Sequence, residues 1–172
     1  KESFENGWFK TGDIGELDSD GYLKITDRKK DLIVNSAGKN IAPQRIEAVI
    51  RAIPGISQAV VFGDKQKHLV ALLTLDEHAV MDLARDQHWE HEGYEDLMHN
   101  AKLLTYIRKE IKARSKPLAD HEQVKDFAIL EKDLSVDAGE MTATLKIKRN
   151  IVAKKYKDLI ASLYDEKVGG KR

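Results

Sequence analysis

Residues 56–75 read ISQAVVFGDKQKHLVALLTL and contain two apolar runs separated by a polar turn. The first run, Ile56–Phe62, and the second, Leu69–Leu75, each have the length and apolar content of a buried strand. Between them, residues 63–68 are polar and begin with the glycine and aspartate that favour a turn. The stretch therefore predicts two successive strands joined by a short turn.

Helical patterns lie on both sides of these strands. Pro43 suits the first turn of a helix, and an apolar stripe at helical spacing follows it until Pro54 and Gly55 end the pattern. Asp76 is a suitable cap for a helix that reaches about residue 87. Three more elements are predicted downstream: a helix from 101 to about 116, a strand over 124–130, and a helix from 149 to about 166.

Upstream of Pro43 the sequence consists of short strands and tight turns. The turn cluster Asp18-Ser19-Asp20-Gly21 joins two segments, 14–17 and 22–26, that we expect to form a hairpin. The predicted fold class is α+β: a small mixed domain with a central three-stranded sheet flanked by helices, preceded by a β-hairpin lead-in.

Composition excludes several classes of protein. The 172 residues include 29 basic and 29 acidic ones, and this zero net charge argues against nucleic-acid binding by bulk electrostatics. The absence of cysteine excludes disulfides and thiolate chemistry. No apolar run approaches the length of a membrane span and no signal peptide opens the chain, so a cytoplasmic location is expected. Because the chain begins with Lys1, we expect a piece of a longer protein.

Taken one at a time, the polar motifs have simple explanations. Residues 27–31, DRKKD, are typical of a solvated loop, and residues 146–149, KIKR, of the basic start of a helix. The glycine loop at 36–39 lacks the spacing of a phosphate-binding P-loop. His88 and His91 have no third ligand at an evident spacing, so no metal site is expected.

The order and spacing of the motifs are more specific than any one of them. Together they resemble the carboxyl-terminal part of the adenylate-forming (AMP-forming) ligases. The matching segments are WFKTGD (8–13), GYLKITDRKKDLI (21–33), SAGKNIAP (36–43) followed by Glu47, and TATLKIKR (142–149). The last segment departs from the usual family pattern, because it has no proline and Leu145 replaces a glycine. This form is similar to that of long-chain fatty-acyl-CoA synthetases.

The resemblance implies a two-step reaction, in which ATP and a fatty acid form an acyl-adenylate and the thiol of CoA then displaces AMP. It also implies a role for each matching residue. These roles are nucleotide binding for Asp13 and Arg28, the hinge for Lys30, CoA binding for Ser36, Ala37, Gly38 and Lys39, and catalysis for Lys146. Lys148 remains a rival for the catalytic role.

The same resemblance implies a division of the chain. Residues 1–29 would end a large amino-terminal domain, 30–168 would form a mobile lid domain, and 169–172 would be a disordered tail. Fatty acid, ATP and CoA are the implied substrates, and Mg²⁺ would be bound mainly by the large domain. No nucleic-acid partner is expected, and peripheral membrane association of the full enzyme is left open. Two alternatives also stay open: an adenylate-forming enzyme with another acceptor, such as a carrier protein, and a non-catalytic basic module.

Overall fold

A three-stranded sheet lies at the centre of the computed structural model, which describes residues 3–165. The strands of the described residues are β1 (Phe4–Glu5), β2 (Trp8–Phe9), β3 (Asp13–Leu17), β4 (Leu23–Arg28), β5 (Ile33–Val34), β6 (Asn40–Ile41), β7 (Ile56–Phe62), β8 (Leu69–Leu75) and β9 (Val124–Ile129). The helices are α1 (Pro43–Arg51), α2 (Glu77–Asp86), α3 (Tyr94–His99), α4 (Ala101–Arg114), α5 (Arg149–Lys155) and α6 (Lys157–Ser162).

Strand β8 is the middle strand of this sheet. It pairs antiparallel with β7 and parallel with β9. Every residue of β8 is buried, because its side chains alternate between two cores. Residues such as Leu73 face the first core, which contains side chains of α1 to α4, whereas Leu72 faces the second core, which contains Val152 of α5. The predicted α+β fold with a central three-stranded sheet is confirmed, and β7 and β8 have the predicted bounds.

The lead-in consists of two hairpins, β1–β2 and β3–β4. Large apolar side chains on these hairpins are between 58% and 80% exposed. They are Phe4, Trp8, Phe9, Leu17, Tyr22, Leu23 and Ile25. An apolar surface of this extent is typical of an interface rather than of a free surface.

The sequence predicted one continuous helix from residue 149, and this prediction is wrong for the described residues. The helix is divided into α5 and α6 at Tyr156, whose backbone has φ −106° and ψ 27°. The Tyr156 hydroxyl donates a hydrogen bond to buried Glu140 (3.2 Å), so a tertiary contact holds the residue at the break. Ile160 packs against the second core, whereas Leu159 is exposed. The predicted helix end near residue 166 and the predicted tail lie outside the described residues.

Within residues 3–165, no helix combines the length and the apolar character needed to span a bilayer.

Candidate active site

A cleft of about 1320 Å³ opens between the lead-in hairpin β3–β4, helix α1 and the segment that precedes α5. Its lining includes four residues with predicted roles, which are Asp13, Arg28, Lys30 and Lys146. These residues come from three separate sequence motifs. The structure therefore brings the predicted nucleotide-binding, hinge and catalytic residues to one place.

Asp13 and Arg28 face each other across the β3–β4 hairpin. The Arg28 Nε lies 2.8 Å from the Asp13 Oδ1, and the Asp13 side chain is 25% exposed. An ionised carboxylate only accepts hydrogen bonds and has two oxygens, so Asp13 can pair with Arg28 and also accept from a ligand hydroxyl. The pair offers both an acceptor and a donor at the edge of the cleft.

Lys146 lies on a short hairpin formed by residues 141–148, here called the lysine hairpin. Met141 and Ile147 form an antiparallel bridge, and the Thr142 amide donates to the Lys146 carbonyl (2.8 Å). Ile147 packs against the second core. Because alternate residues of an extended segment share a face, Lys146 and Lys148 both point away from that core, and both line the cleft.

The turn of the lysine hairpin has an unusual residue in a left-handed conformation. Leu145, which replaces the family's glycine, has φ 59° and is 69% exposed. A three-residue hairpin loop commonly ends in this conformation, which glycine adopts without steric cost. A glycine would adopt this conformation more readily, and the structure shows that the turn forms with leucine.

The predicted CoA-binding residues lie elsewhere. Ser36, Ala37, Gly38 and Lys39 form an exposed turn, and none of them lines the cleft. Buried Asn35 holds this turn, since its Oδ1 accepts from the amides of Ala37 (3.0 Å) and Lys39 (2.9 Å). Gly38 has φ 73°, and a β-carbon there would meet nothing within 4 Å. The candidate adenylation and CoA residues thus occupy separate surfaces.

Asp27 shows that the charge run at 27–31 is not simply a solvated loop. Only 2% of Asp27 is exposed. Its Oδ1 accepts from the Arg28 amide (2.7 Å) and its Oδ2 from the Gln44 amide (3.2 Å) in the first turn of α1. The residue before this helix, Ala42, has no side chain that can cap it. The lack of a local cap was the sequence signal that a distant side chain, such as that of Asp27, accepts from α1. The first amides of a helix have no acceptor within the helix and need one from another residue.

Glu47 is a second buried carboxylate, to which sequence reasoning assigned no role. The Arg149 Nη1 lies 2.6 Å from the Glu47 Oε1, and the Val61 amide donates to the same oxygen (2.8 Å). Arg149 also donates to the Val61 carbonyl (2.6 Å). Glu47 therefore joins α1, β7 and the start of α5, immediately beside the lysine hairpin.

Glu140 is a third buried carboxylate, only 2% exposed, and no sequence motif contains it. Its side chain accepts from the Lys155 ammonium (2.8 Å), the Ser135 amide (3.1 Å) and the Tyr156 hydroxyl (3.2 Å). Burial raises the pKa of Glu140, but these donors outweigh it and the resulting pKa is below its usual value. Glu140 is therefore a charged anchor at the start of the lysine hairpin.

Residues 3–165 contain no group of three or more histidine, aspartate or glutamate side chains that could hold a metal ion.

Comparisons with known proteins agree on one family. Residues 30–168 match the model of the AMP-binding enzyme C-terminal domain. Long-chain-fatty-acid–CoA ligase FadD15 of Mycobacterium tuberculosis is 40% identical over 166 residues, which are 96% of this chain and 28% of that protein. Human long-chain-fatty-acid–CoA ligase ACSBG1 is 35% identical over 184 residues, with 94% of this chain and 25% of that protein covered.

Solved structures have the same fold. The adenylation domain of a carboxylate reductase from Mycobacterium chelonae superposes with a TM-score of 0.75 at 21% identity, covering 96% of this chain and 24% of that chain. A fatty acyl CoA synthetase from Mycobacterium tuberculosis superposes with a TM-score of 0.52 at 29% identity. The superposition covers 92% of this chain and 26% of that chain. The chain thus spans about a quarter of the length of the proteins that it matches. From the family match and these identities we conclude that the chain belongs to the AMP-binding enzyme C-terminal domain family.

Proposed function

We propose that this chain is the carboxyl-terminal part of an AMP-forming ligase that activates a long-chain fatty acid and transfers it to CoA. The observation that carries the proposal is the convergence of Asp13, Arg28, Lys30 and Lys146 on one cleft. The names of the relatives that align with 94–96% of this chain, long-chain-fatty-acid–CoA ligases, support the substrate class.

In the proposed first step, an oxygen of the fatty-acid carboxylate attacks the α-phosphorus of ATP. The new bond is between that oxygen and phosphorus, and pyrophosphate leaves with the electrons of the broken bond. Charge develops on the phosphoryl oxygens, and a positioned cation stabilises it. Lys146 supplies this charge, while Asp13 accepts hydrogen bonds from ribose hydroxyls and Arg28 adds a donor.

In the proposed second step, the thiol sulfur of CoA attacks the acyl carbonyl carbon of the adenylate and forms a carbon–sulfur bond. The bond between that carbon and the phosphate oxygen breaks, AMP leaves with its electrons, and the thiol proton passes to solvent. The lid domain, residues 30–168, turns about Lys30 between the steps, and residues 36–39 then line the path of CoA. This is supported by the separate placement of the exposed turn 36–39 and the cleft, which allows the two surfaces to act in turn. A boundary near Lys30 is also supported by the family match, which begins at residue 30.

The remaining parts of the site are proposed to lie in a larger amino-terminal domain. This domain would bind the fatty acid and most of the Mg²⁺, and would cover the exposed apolar side chains of the lead-in hairpins. The proposed location is cytoplasmic, with peripheral contact to membranes where long-chain fatty acids reside.

The test is a pair of half-reaction assays on the full-length enzyme. With ATP, Mg²⁺ and palmitate, we expect exchange of labelled pyrophosphate into ATP in the absence of CoA. Addition of CoA should then yield palmitoyl-CoA and AMP in equal amounts. Absence of exchange with fatty acids of every chain length would refute the proposal. Exchange followed by transfer to a phosphopantetheinyl carrier protein, and not to CoA, would favour the alternative acceptor.

A further inference from the structure

The lysine hairpin has little to hold it in place by itself. Isolated two-stranded hairpins are marginally stable in water, and this one has Lys146, Lys148 and Leu145 exposed to solvent. Ile147 is half-buried against the second core. A flexible lysine on a loosely held hairpin would reach a phosphate only part of the time. Contacts at the two ends of the hairpin are therefore decisive for the position of Lys146.

At the carboxyl end, Arg149 follows the hairpin directly. Its Nη1 lies 2.6 Å from the Glu47 Oε1 and 2.6 Å from the Val61 carbonyl oxygen. The side chains of Arg149 and Glu47 are 23% and 9% exposed, so solvent screens this pair only weakly. The pair fixes this end to both α1 and the central sheet.

At the amino end, Glu140 precedes the hairpin directly. Its backbone carbonyl accepts from the Lys148 amide (2.7 Å) and closes the base of the hairpin. Its buried carboxylate accepts from Lys155, the last residue of α5, and from Tyr156, at the break between α5 and α6. This end is therefore tied to the elements that follow the hairpin.

We propose that Glu47, Arg149 and Glu140 are positioning residues that hold Lys146 in the cleft. None of them is assigned a contact with the reacting atoms; they act through Lys146. A buried ion pair seldom stabilises a protein more than apolar residues of the same size would. Stability alone is therefore a weak reason for the presence of two buried, paired carboxylates beside the lysine hairpin. A displacement of a catalytic group by about 1 Å can reduce the rate by about a hundredfold, which gives rigid placement a clear advantage.

The experiment measures both half-reactions of the full-length enzyme, and thus rests on the proposed function. Glu47→Gln keeps the size of the side chain and removes the charge. We expect it to lower kcat for palmitate-dependent pyrophosphate exchange by about a hundredfold, with thioester formation from supplied palmitoyl-adenylate changed by less than about twofold. Glu140→Gln should have the same step-selective effect. Lys154→Ala, which removes an exposed cation of α5, is the matched control.

A second measurement separates positioning from a general structural role. In a Lys146→Ala background, Glu47→Gln should reduce the residual exchange by less than about twofold, because its effect passes through Lys146. A further large loss in that background, or an equal loss of both half-reactions in Glu47→Gln, would overturn the inference. Should Glu47→Gln not fold, Arg149→Lys, which keeps the charge but not the planar fork, carries the same test. Absence of exchange in the unmodified enzyme would instead refute the proposed function.

Discussion

Lys146 carries the sharpest prediction at the scale of single residues. A cation about 4 Å from a phosphate oxygen is worth on the order of 4 kcal/mol at an effective dielectric constant near 20. That corresponds to roughly a thousandfold in rate if the charge acts mainly in the transition state. Lys146→Ala in the full-length enzyme should therefore lose adenylation by about this factor and keep thioester formation from supplied acyl-adenylate.

Lys148→Ala is the comparison that tests this assignment. Both lysines line the cleft, so geometry alone permits either to act. Because the family resemblance aligns Lys146 with the catalytic lysine, we expect Lys148→Ala to lower adenylation by no more than about tenfold. A large, step-selective defect at Lys148 instead would place the motif two residues further along the chain.

Leu145 provides a test of backbone strain. A residue with a β-carbon at φ 59° loses about 1 kcal/mol relative to its preferred conformation. Leu145→Gly should relieve this strain and raise the free energy of unfolding by up to about 1 kcal/mol, because the exposed leucine side chain contributes little burial. Leu145→Ala keeps the strain, so urea unfolding should show no gain for it. An equal gain for both variants would show that the turn is not strained.

Glu140 links stability to pH. Because its folded-state pKa lies below its ordinary value of 4.5, its contribution to stability is complete above that value and is lost as the pH falls through the folded-state pKa. Glu140→Gln should therefore lower the free energy of unfolding by about 2 kcal/mol near neutral pH. The difference from the unmodified chain should shrink below pH 4.5. Urea unfolding at a series of pH values measures it, and a difference that persists in acid would contradict this linkage.

At the scale of elements, the turn that contains Lys30 is the predicted hinge. Lys30 lies exposed in the short 3₁₀ turn Lys29–Asp31, between β4 and β5. Proline fixes φ near −65° and removes the amide hydrogen, so Lys30→Pro should trap one arrangement of the two domains. In the full-length enzyme we expect adenylate formation to survive and thioester formation to fall at least about tenfold. Lys30→Ala, which keeps backbone freedom, is the control, and an equal loss of both half-reactions would mean that the hinge lies elsewhere.

Helix α1 shows how an element receives its place from distant residues. Its apolar stripe and its start at Pro43 were readable from local sequence. Its amino-terminal amide at Gln44 is capped by Asp27, which is 17 residues away, and its Glu47 pairs with Arg149, which is 102 residues away. No local pattern identifies either partner, because a side chain's burial depends on what packs against it.

At the scale of the whole molecule, we expect the 172-residue chain alone not to catalyse adenylation. It spans 28% of the related ligase FadD15, and the groups that bind the fatty acid and Mg²⁺ are proposed to lie in a larger amino-terminal domain. Palmitate-dependent pyrophosphate exchange with the isolated chain should not exceed background. Robust turnover would refute the view that most of the site lies in another domain.

Sequence by itself determined the central strands, the start of α1, the lead-in hairpin β3–β4 and the order of the motifs. These features depend on periodicity, turn residues and spacing, all of which are properties of neighbouring residues. Only the tertiary structure decided that Asp27 is buried, that α5 and α6 are separate, and that the Glu47–Arg149 pair and the Glu140 carboxylate lie at the two ends of the lysine hairpin. The physical reason is that the free-energy cost of burying a carboxylate depends on the hydrogen-bond donors around it. Those donors are distant in the sequence and come close to the carboxylate only when the chain folds.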